Sequence, residues 1–271
     1  MAKDNANEKG NDAMISGKNL TTDDGVNKNV LIGCVTFKGH MFVLDEFLAA
    51  LRQQTYQGFD LVIVDNSETE DYADTLRSKG LTVIRDVPGT KSRIQRITSG
   101  REKTREMFLS GKWQYLFFVD SDIIIPPDAL ERLLSHEADI ISGVCLCRIN
   151  LGGKMEIHPA LYDFAGKGQG RLMDIEEVAG DELQEIDVCG FGCCLVKRIV
   201  VERVPLRYYE KSAAGEDVAF NVDAHKFGFR TFVDKSVKCR HVTPTEILEV
   251  PKGISPTYDE VGQYSYTFTV R

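Results

Sequence analysis

From Asn29 onward the chain alternates between two hydrophobic periods. Val30–Phe37 is a near-continuous apolar run, and Leu44, Phe47, Leu48 and Leu51 then recur at helical spacing. Phe59–Val64 predicts a second strand, Thr69–Arg77 a helix before Gly80, and Leu81–Val87 a third strand. Ser92–Leu109 predicts a long charged helix, Trp113–Val119 a fourth strand, Pro127–Leu134 a short helix and Ala138–Cys147 another strand. Strands alternating with helices imply βαβ units and a mostly parallel sheet flanked by helices in a single α/β domain. Ligands of such sheets gather at the carboxyl ends of the strands.

After Arg148 the rhythm changes. The Gly-rich Leu151–Lys154 precedes strand-like pieces at Glu156–Phe164 and Arg171–Val178, separated by Gly166–Gly170. Glu185–Lys197 carries Cys189-Gly-Phe-Gly-Cys193, where small residues around Phe191 suit either a close approach to ligand or a glycine bulge in a core strand. Glu216–Phe227 predicts a helix ended by Gly228, and Arg230–Val237 a last strand. The polar residues 1–28 are expected to form a disordered tail. Residues 29–242 form the expected domain, with halves at 29–122 and 123–242, and residues 243–271 an extension along the surface.

Several strand ends carry polar side chains. Thr36-Phe37 ends the first, Asp65-Asn66-Ser67 the second, and Asp120-Ser121-Asp122 the fourth. In an extended segment alternate side chains share a face, so Asp120 and Asp122 are expected to project together while Ser121 points away. Two carboxylates there suit a divalent cation that also grips phosphate. The competing reading is a strand-end turn, which Asp, Ser and the following Pro126-Pro127 also favour.

Bulk composition narrows the function. The 271 residues are 42% hydrophobic with a net charge of −8, enough for a full core and without a global field for nucleic acid or anionic lipid. Lys91, Arg93, Arg96, Arg101, Lys103 and Arg105 crowd one stretch, read either as a local basic patch or as a solvated helix face. The 7 cysteines fall mostly in apolar runs without zinc-knuckle spacing, so they read as buried thiols of a reducing compartment. No apolar run suits a signal peptide or a membrane span. A cytoplasmic protein is expected, with any membrane contact peripheral.

Glu216-Asp217 and His241 follow the Asp-x-Asp in chain order. Singly, the acid pair is explained by the positive end of a helix, and the histidine by a packed or surface position. Together with Val35-Thr36-Phe37, Val64-Asp65-Asn66-Ser67, Phe117-Phe-Val-Asp120-Ser-Asp122, Gly190-Phe-Gly192 and Gly215-Glu-Asp217-Val-Ala-Phe220, the chain resembles GT-A fold glycosyltransferases of the family-2-like group. It departs where many relatives carry Arg-Asn before the helix preceding the Asp-x-Asp strand and this chain has Arg101-Glu102, which puts the transfer of a role to Arg101 in doubt.

The resemblance implies a nucleotide-diphosphate sugar donor, linked to UDP or GDP, and a glycan, lipid or small-molecule acceptor. Thr36, Phe37, Asp65, Arg93, Asp120, Gly190 and Gly192 would line the donor site. Asp122, with Asp120 and His241, would hold a metal, Mn²⁺ first and Mg²⁺ second because imidazole joins the oxygen ligands. In an inverting enzyme Asp217 is the candidate base and Glu216 the sugar or acceptor holder; in a retaining one both would bind donor hydroxyls. The rivals are a sugar-phosphate nucleotidyltransferase, whose Gly-rich loop is reduced here to Phe37-Lys-Gly-His-Met41, an inactive sugar-nucleotide binder, and a nucleic-acid protein. The glycines of 151–183 suggest a mobile cover over the donor.

Overall fold

A computed structural model describes residues 30–87, 89–166, 169–209, 215–252 and 265–266. The expected tail, residues 1–28, and most of the expected extension lie outside the described residues. The first half follows the predicted alternation: β1 Val30–Thr36, α1 Leu44–Arg52, β2 Phe59–Asp65, α2 Asp71–Ser78, β3 Thr82–Arg85, α3 Arg93–Ser110 and β4 Tyr115–Val119. α1 forms because Leu44, Phe47, Leu48 and Leu51 make one buried stripe. α3 starts where Ser92 and Gln95 close a capping box.

Eight strands form the main sheet, in the order Leu183–Ile186, Thr231–Lys238, Ile140–Val144, Cys193–Lys197, β4, β1, β2, β3. β1 runs parallel to β2 and β4, β2 to β3, and Thr231–Lys238 to Ile140–Val144. Two strands run the other way: Cys193–Lys197, antiparallel to both β4 and Ile140–Val144, and the edge strand Leu183–Ile186, antiparallel to Thr231–Lys238. Helices cover both faces, giving the mostly parallel α/β architecture expected.

α3 lies close on β1 because glycine leaves room. A Cβ at Gly33 would fall 2.0 Å from Thr104 Cγ2, and one at Gly100 would fall 2.8 Å from Val35 Cγ1. That proximity brings the buried face of α3, including Arg101, over the strand ends.

The structure corrects several element boundaries. Ala138–Cys147 is not one strand: Ile140–Val144 stays in the main sheet, and Leu146–Leu151 leaves to pair with Lys154–Pro159. Gly152 and Gly153, at φ 60° and 95°, make that hairpin turn, which explains the Gly-rich stretch. Glu156–Phe164 divides into Lys154–Pro159 and Leu161–Gly166, while Arg171–Val178 is a strand ending at Leu172 and a 3₁₀ turn at Glu176–Val178. The helix Arg198–Arg203 was not expected, being too short to show periodicity.

One small sheet matters for the site. Arg240–Val242 pairs antiparallel with both Ile123–Ile124 and Ile247–Leu248, placing His241 opposite Ile123. Among the described residues no helix is long and apolar enough to cross a membrane.

Candidate active site

The carboxyl ends of β1, β2 and β4 open on a cleft of two joined lobes. One, of about 280 Å³, is lined by Thr36, Phe37, His40, Asn66 and Asp122 among others. The other, of about 610 Å³, reaches Tyr162, Gly190, Gly192, Glu216, Asp217 and His241. Arg93, Ile97, Arg101 and Asp120 line both, so the Asp-x-Asp segment stands where the lobes meet.

A tight turn, rather than strand pleating, presents the two aspartates: Ile123 N–H donates to Asp120 O at 3.0 Å. Asp120 N–H donates to Gly192 O at 3.1 Å, tying the turn to the Gly-Phe-Gly loop. The turn explanation and the acidic site are thus the same local structure. Ser121 points inward, only 3% exposed.

Arg101, to which the sequence assigned no role, lies where the two lobes meet. Its Nη2 donates to Asp120 Oδ1 at 2.7 Å, its Nη1 donates to Glu216 Oε1, and the guanidinium lies 5.1 Å from the Phe191 ring centroid. Burial opposes its charge, but Glu216, Asp120 and Asp217 outweigh it and hold Arg101 firmly protonated. A charged residue on the sheet-facing side of a helix was the available signal.

Glu216 and Asp217 differ in setting. Glu216 is 3% exposed and gripped by Arg101, and burial pushes its carboxyl up to about 7 despite that partner. Asp217, whose Oδ1 accepts from Val218 N–H at 2.8 Å, faces the larger lobe, and burial likewise raises its carboxyl. Glycines make the space for these carboxylates. A Cβ at Gly190 would stand 2.9 Å from Ala160 Cβ and 3.6 Å from Asp217 Oδ2, and one at Gly192 would stand 3.7 Å from Asp120 Oδ2.

Asp122 meets two histidines. His241 Nε2 is 3.3 Å and His40 Nε2 3.5 Å from Asp122 Oδ2. Burial works against ionising Asp122, but the His241 hydrogen bond and both imidazoles prevail and lower it. The Asp122 hydrogen bond in turn raises His241, whereas burial lowers His40. His241 Nδ1 lies 2.9 Å from Leu146 O; a carbonyl only accepts, so the proton sits on Nδ1 and Nε2 is left for Asp122.

This donor set fits a divalent cation. Imidazole Nε2 and carboxylate Oδ2 share a proton that a metal would replace, and the Leu146 carbonyl fixes the ring as outer partners of metal-bound histidines do. Among the described residues no group of three His, Cys, Asp or Glu side chains could by itself hold a metal ion, so other oxygens would have to complete the shell.

The remaining expected residues are placed as follows. Phe37 is 48% exposed at the rim, and Thr36 is buried with Oγ1 3.3 Å from Tyr72 Oη. Arg93 is exposed at the start of α3. Asp65 is fully buried: Oδ1 accepts from Ser67 N at 2.9 Å and Ser67 Oγ at 2.6 Å, and Oδ2 from Arg85. It does not line the cleft; the neighbouring Asn66 does.

No curated protein matches the sequence. Among solved structures, GalNAc-T7 with UDP, GalNAc and Mn²⁺ is similar at 14% identity and TM-score 0.55, over 80% of this chain and 44% of that one. A197 from STIV is similar at 17% identity and TM-score 0.49, over 89% and 100% of the two chains. S. aureus TarS is similar at 15% identity and TM-score 0.46, over 77% and 36%. The chain thus spans less than half the length of GalNAc-T7 and of TarS. The fold is GT-A. Residues 30–252 match the family described as glycosyltransferase like family 2, and the chain belongs to that family.

Proposed function

We propose that the protein transfers a sugar from a nucleotide-diphosphate sugar to an acceptor hydroxyl, with a divalent cation at Asp122 and His241. The observation that carries this reading is the meeting of two lobes at Asp120 and Arg101, with Asp122 lining the smaller lobe and Glu216, Asp217 and the Asp122 partner His241 lining the larger. The smaller lobe suits a nucleoside, with Phe37 packing on it and Thr36 and Asn66 as polar neighbours. Asp65 supports that lobe by holding Ser67 and Arg85. A fold relative whose structure contains UDP, GalNAc and Mn²⁺ supports this type of donor and makes Mn²⁺ the first choice, Mg²⁺ the second.

When bound, the cation supplies Lewis-acid stabilisation of the charge that builds on the leaving diphosphate. The chain's own groups divide the remaining work. Asp217, facing the larger lobe with a raised pKa, accepts the proton of the attacking hydroxyl, the role an inverting transfer requires. Glu216 is occupied by Arg101 and so orients rather than abstracts. Gly190 and Gly192 let backbone approach Asp217 and Asp120 respectively. All 7 cysteines are free, which favours a reducing compartment.

The test is a panel of UDP- and GDP-sugars with Mn²⁺, reading release of the nucleoside diphosphate with and without EDTA. Release from one donor that stops with EDTA is the expected result. Absence of release from every donor, with triphosphate formed from pyrophosphate instead, would establish the nucleotidyltransferase.

A further inference from the structure

The strand Leu161–Gly166 begins at the wall of the larger lobe, and the donor chemistry above makes no use of it. Ala160, just before the strand, and Tyr162 both line that lobe, while Leu161 between them turns the other way into the core. Alternate side chains of a strand share a face, so Phe164 continues the row about 7 Å beyond Tyr162. The His225 ring meets Phe164 edge-on, with centroids 5.7 Å apart.

Both rings are held from behind. Half-buried themselves, Tyr162 and Phe164 pack against the buried Val188, Val218 and Val222, a small core of their own. Tyr162 stands opposite Val188 across the strand pair, Asp187 N–H donates to Tyr162 O at 3.2 Å, and Phe164 N–H donates to the Asp187 carboxylate. The row starts beside the proposed base. Gly190 N–H donates to Ala160 O at 2.7 Å, and a Cβ at Gly190 would stand 2.9 Å from Ala160 Cβ and 3.6 Å from Asp217 Oδ2. Asp217, Ala160, Tyr162 and Phe164 therefore follow one another along a single wall.

The chemistry of that wall selects its ligand. An aromatic face backed by aliphatic side chains covers the C–H face of a pyranose ring, and neighbouring carboxylates accept from the ring's hydroxyls. Asp120, Glu216 and Asp217 all line the larger lobe. Of its arginines, Arg101 is engaged by Asp120 and Glu216, and Arg93 is shared with the smaller lobe. A phosphate-bearing acceptor would meet these carboxylates as like charge, whereas a neutral polyol would not. The lobe of about 610 Å³ falls in the size range of sites for drug-sized ligands, which admits more than one sugar ring.

We propose that Tyr162 and Phe164 are the acceptor platform and that the acceptor is a neutral oligosaccharide: the sugar that offers its hydroxyl to Asp217 stacks on Tyr162, and the next one lies over Phe164. The inference rests on the proposed transfer reaction and names its acceptor class. Specificity for the acceptor then resides in a strand that the donor does not touch.

The test is saturation-transfer NMR on the full chain without donor. The probes are maltotetraose, cellotetraose, chitotetraose and their monosaccharides, with decyl phosphate as an anionic lipid and melting midpoints as the check on folding. At least one tetrasaccharide is expected to bind, about 2- to 10-fold more tightly than its monosaccharide, the gain from one further aromatic contact. Tyr162→Leu keeps an apolar side chain against the three valines and removes the ring; it should weaken that tetrasaccharide by a similar factor. Tyr162→Phe should bind as wild type. Phe164→Leu should bring the tetrasaccharide down to the affinity of the monosaccharide. The inference is overturned if no saccharide binds, if decyl phosphate binds and the saccharides do not, or if Tyr162→Leu binds as wild type. It also falls if Tyr162→Phe is as weak as Tyr162→Leu, since the hydroxyl and not the ring face would then hold the ligand. Donor cleavage by the wild type is read separately. Nucleoside diphosphate released from a donor, with no saccharide bound, removes the platform and keeps the transfer. Saccharide binding that depends on the Tyr162 ring, with no donor cleaved, keeps the platform and removes the transfer.

Discussion

Arg101 and Glu216, 115 residues apart in sequence, form an ion pair inside the protein, with 5% and 3% of each residue exposed. Asp120 shares the same guanidinium, so one arginine on α3 connects the Asp-x-Asp turn to the Glu-Asp pair. Two charges taken from water are tolerable only while paired, and losing one partner strands the others.

Arg101→Ala should therefore lower stability by about 3–5 kcal/mol in urea unfolding. Adding Glu216→Gln should recover part of the loss, since the stranded carboxylate is then gone. Strict additivity of the two substitutions would show that the pair does not couple.

The pH dependence of stability follows from Glu216. Burial raises its folded-state pKa from 4.5 to about 7, so between those values the folded chain holds a proton that the unfolded chain has lost. Stability from this group is fully present below about 4.5 and declines as pH rises toward 7. Glu216→Gln should flatten that slope in melting midpoints taken across the same range; an unchanged slope would assign it to other groups.

Asp217→Asn keeps the shape and removes the base. kcat should fall by about 10²- to 10⁴-fold with donor affinity preserved. In the wild type, the acid limb of the pH–rate profile should lie above the ordinary aspartate range, because burial raises this carboxyl. Lost donor affinity in Asp217→Asn would move the residue to sugar binding.

Asp122→Ala should abolish EDTA-sensitive transfer while the far-ultraviolet dichroism stays unchanged. Asp122 lies in a turn on the cleft, and its side-chain contacts are to His40 and His241 rather than to the core. Wild-type turnover by that variant would remove Asp122 from the site.

Gly190→Ala tests the close packing beneath Asp217. The new methyl would meet Ala160 Cβ at 2.9 Å, so the loop must shift at a cost of roughly 1–3 kcal/mol. Turnover should drop with it, since Gly190 also approaches Asp217. A variant with normal melting and normal turnover would show that the loop yields freely.

Much of this was legible in the sequence. Continuous apolar runs marked the strands from β1 to β4 and helical spacing marked α1, because strands covered on both faces are apolar throughout while an amphipathic helix repeats at 3.6 residues. The carboxylates at 120, 122, 216 and 217 and His241 stood out by residue type and by their place after strands or before a helix. For Glu185–Lys197 a core strand was one of two open readings, and nothing in the sequence showed that Cys193–Lys197 runs against its neighbours, since a buried apolar run reads the same in either direction.

Only the tertiary structure decided which polar residues meet. Asp65 and Asp122 look alike in sequence as acids after strands, yet Ser67 and Arg85 close around the first while His40 and His241 leave the second on the cleft. Arg101 looked like one more charge on a basic helix until Gly33 and Gly100 let α3 settle onto β1 and turned it toward Asp120 and Glu216. Local pattern specifies elements because it depends on neighbours in the chain. The site includes contacts between side chains as far apart as 81 and 119 positions, His40 with Ser121 and Asp122 with His241, which exist only once the sheet has brought its strand ends together.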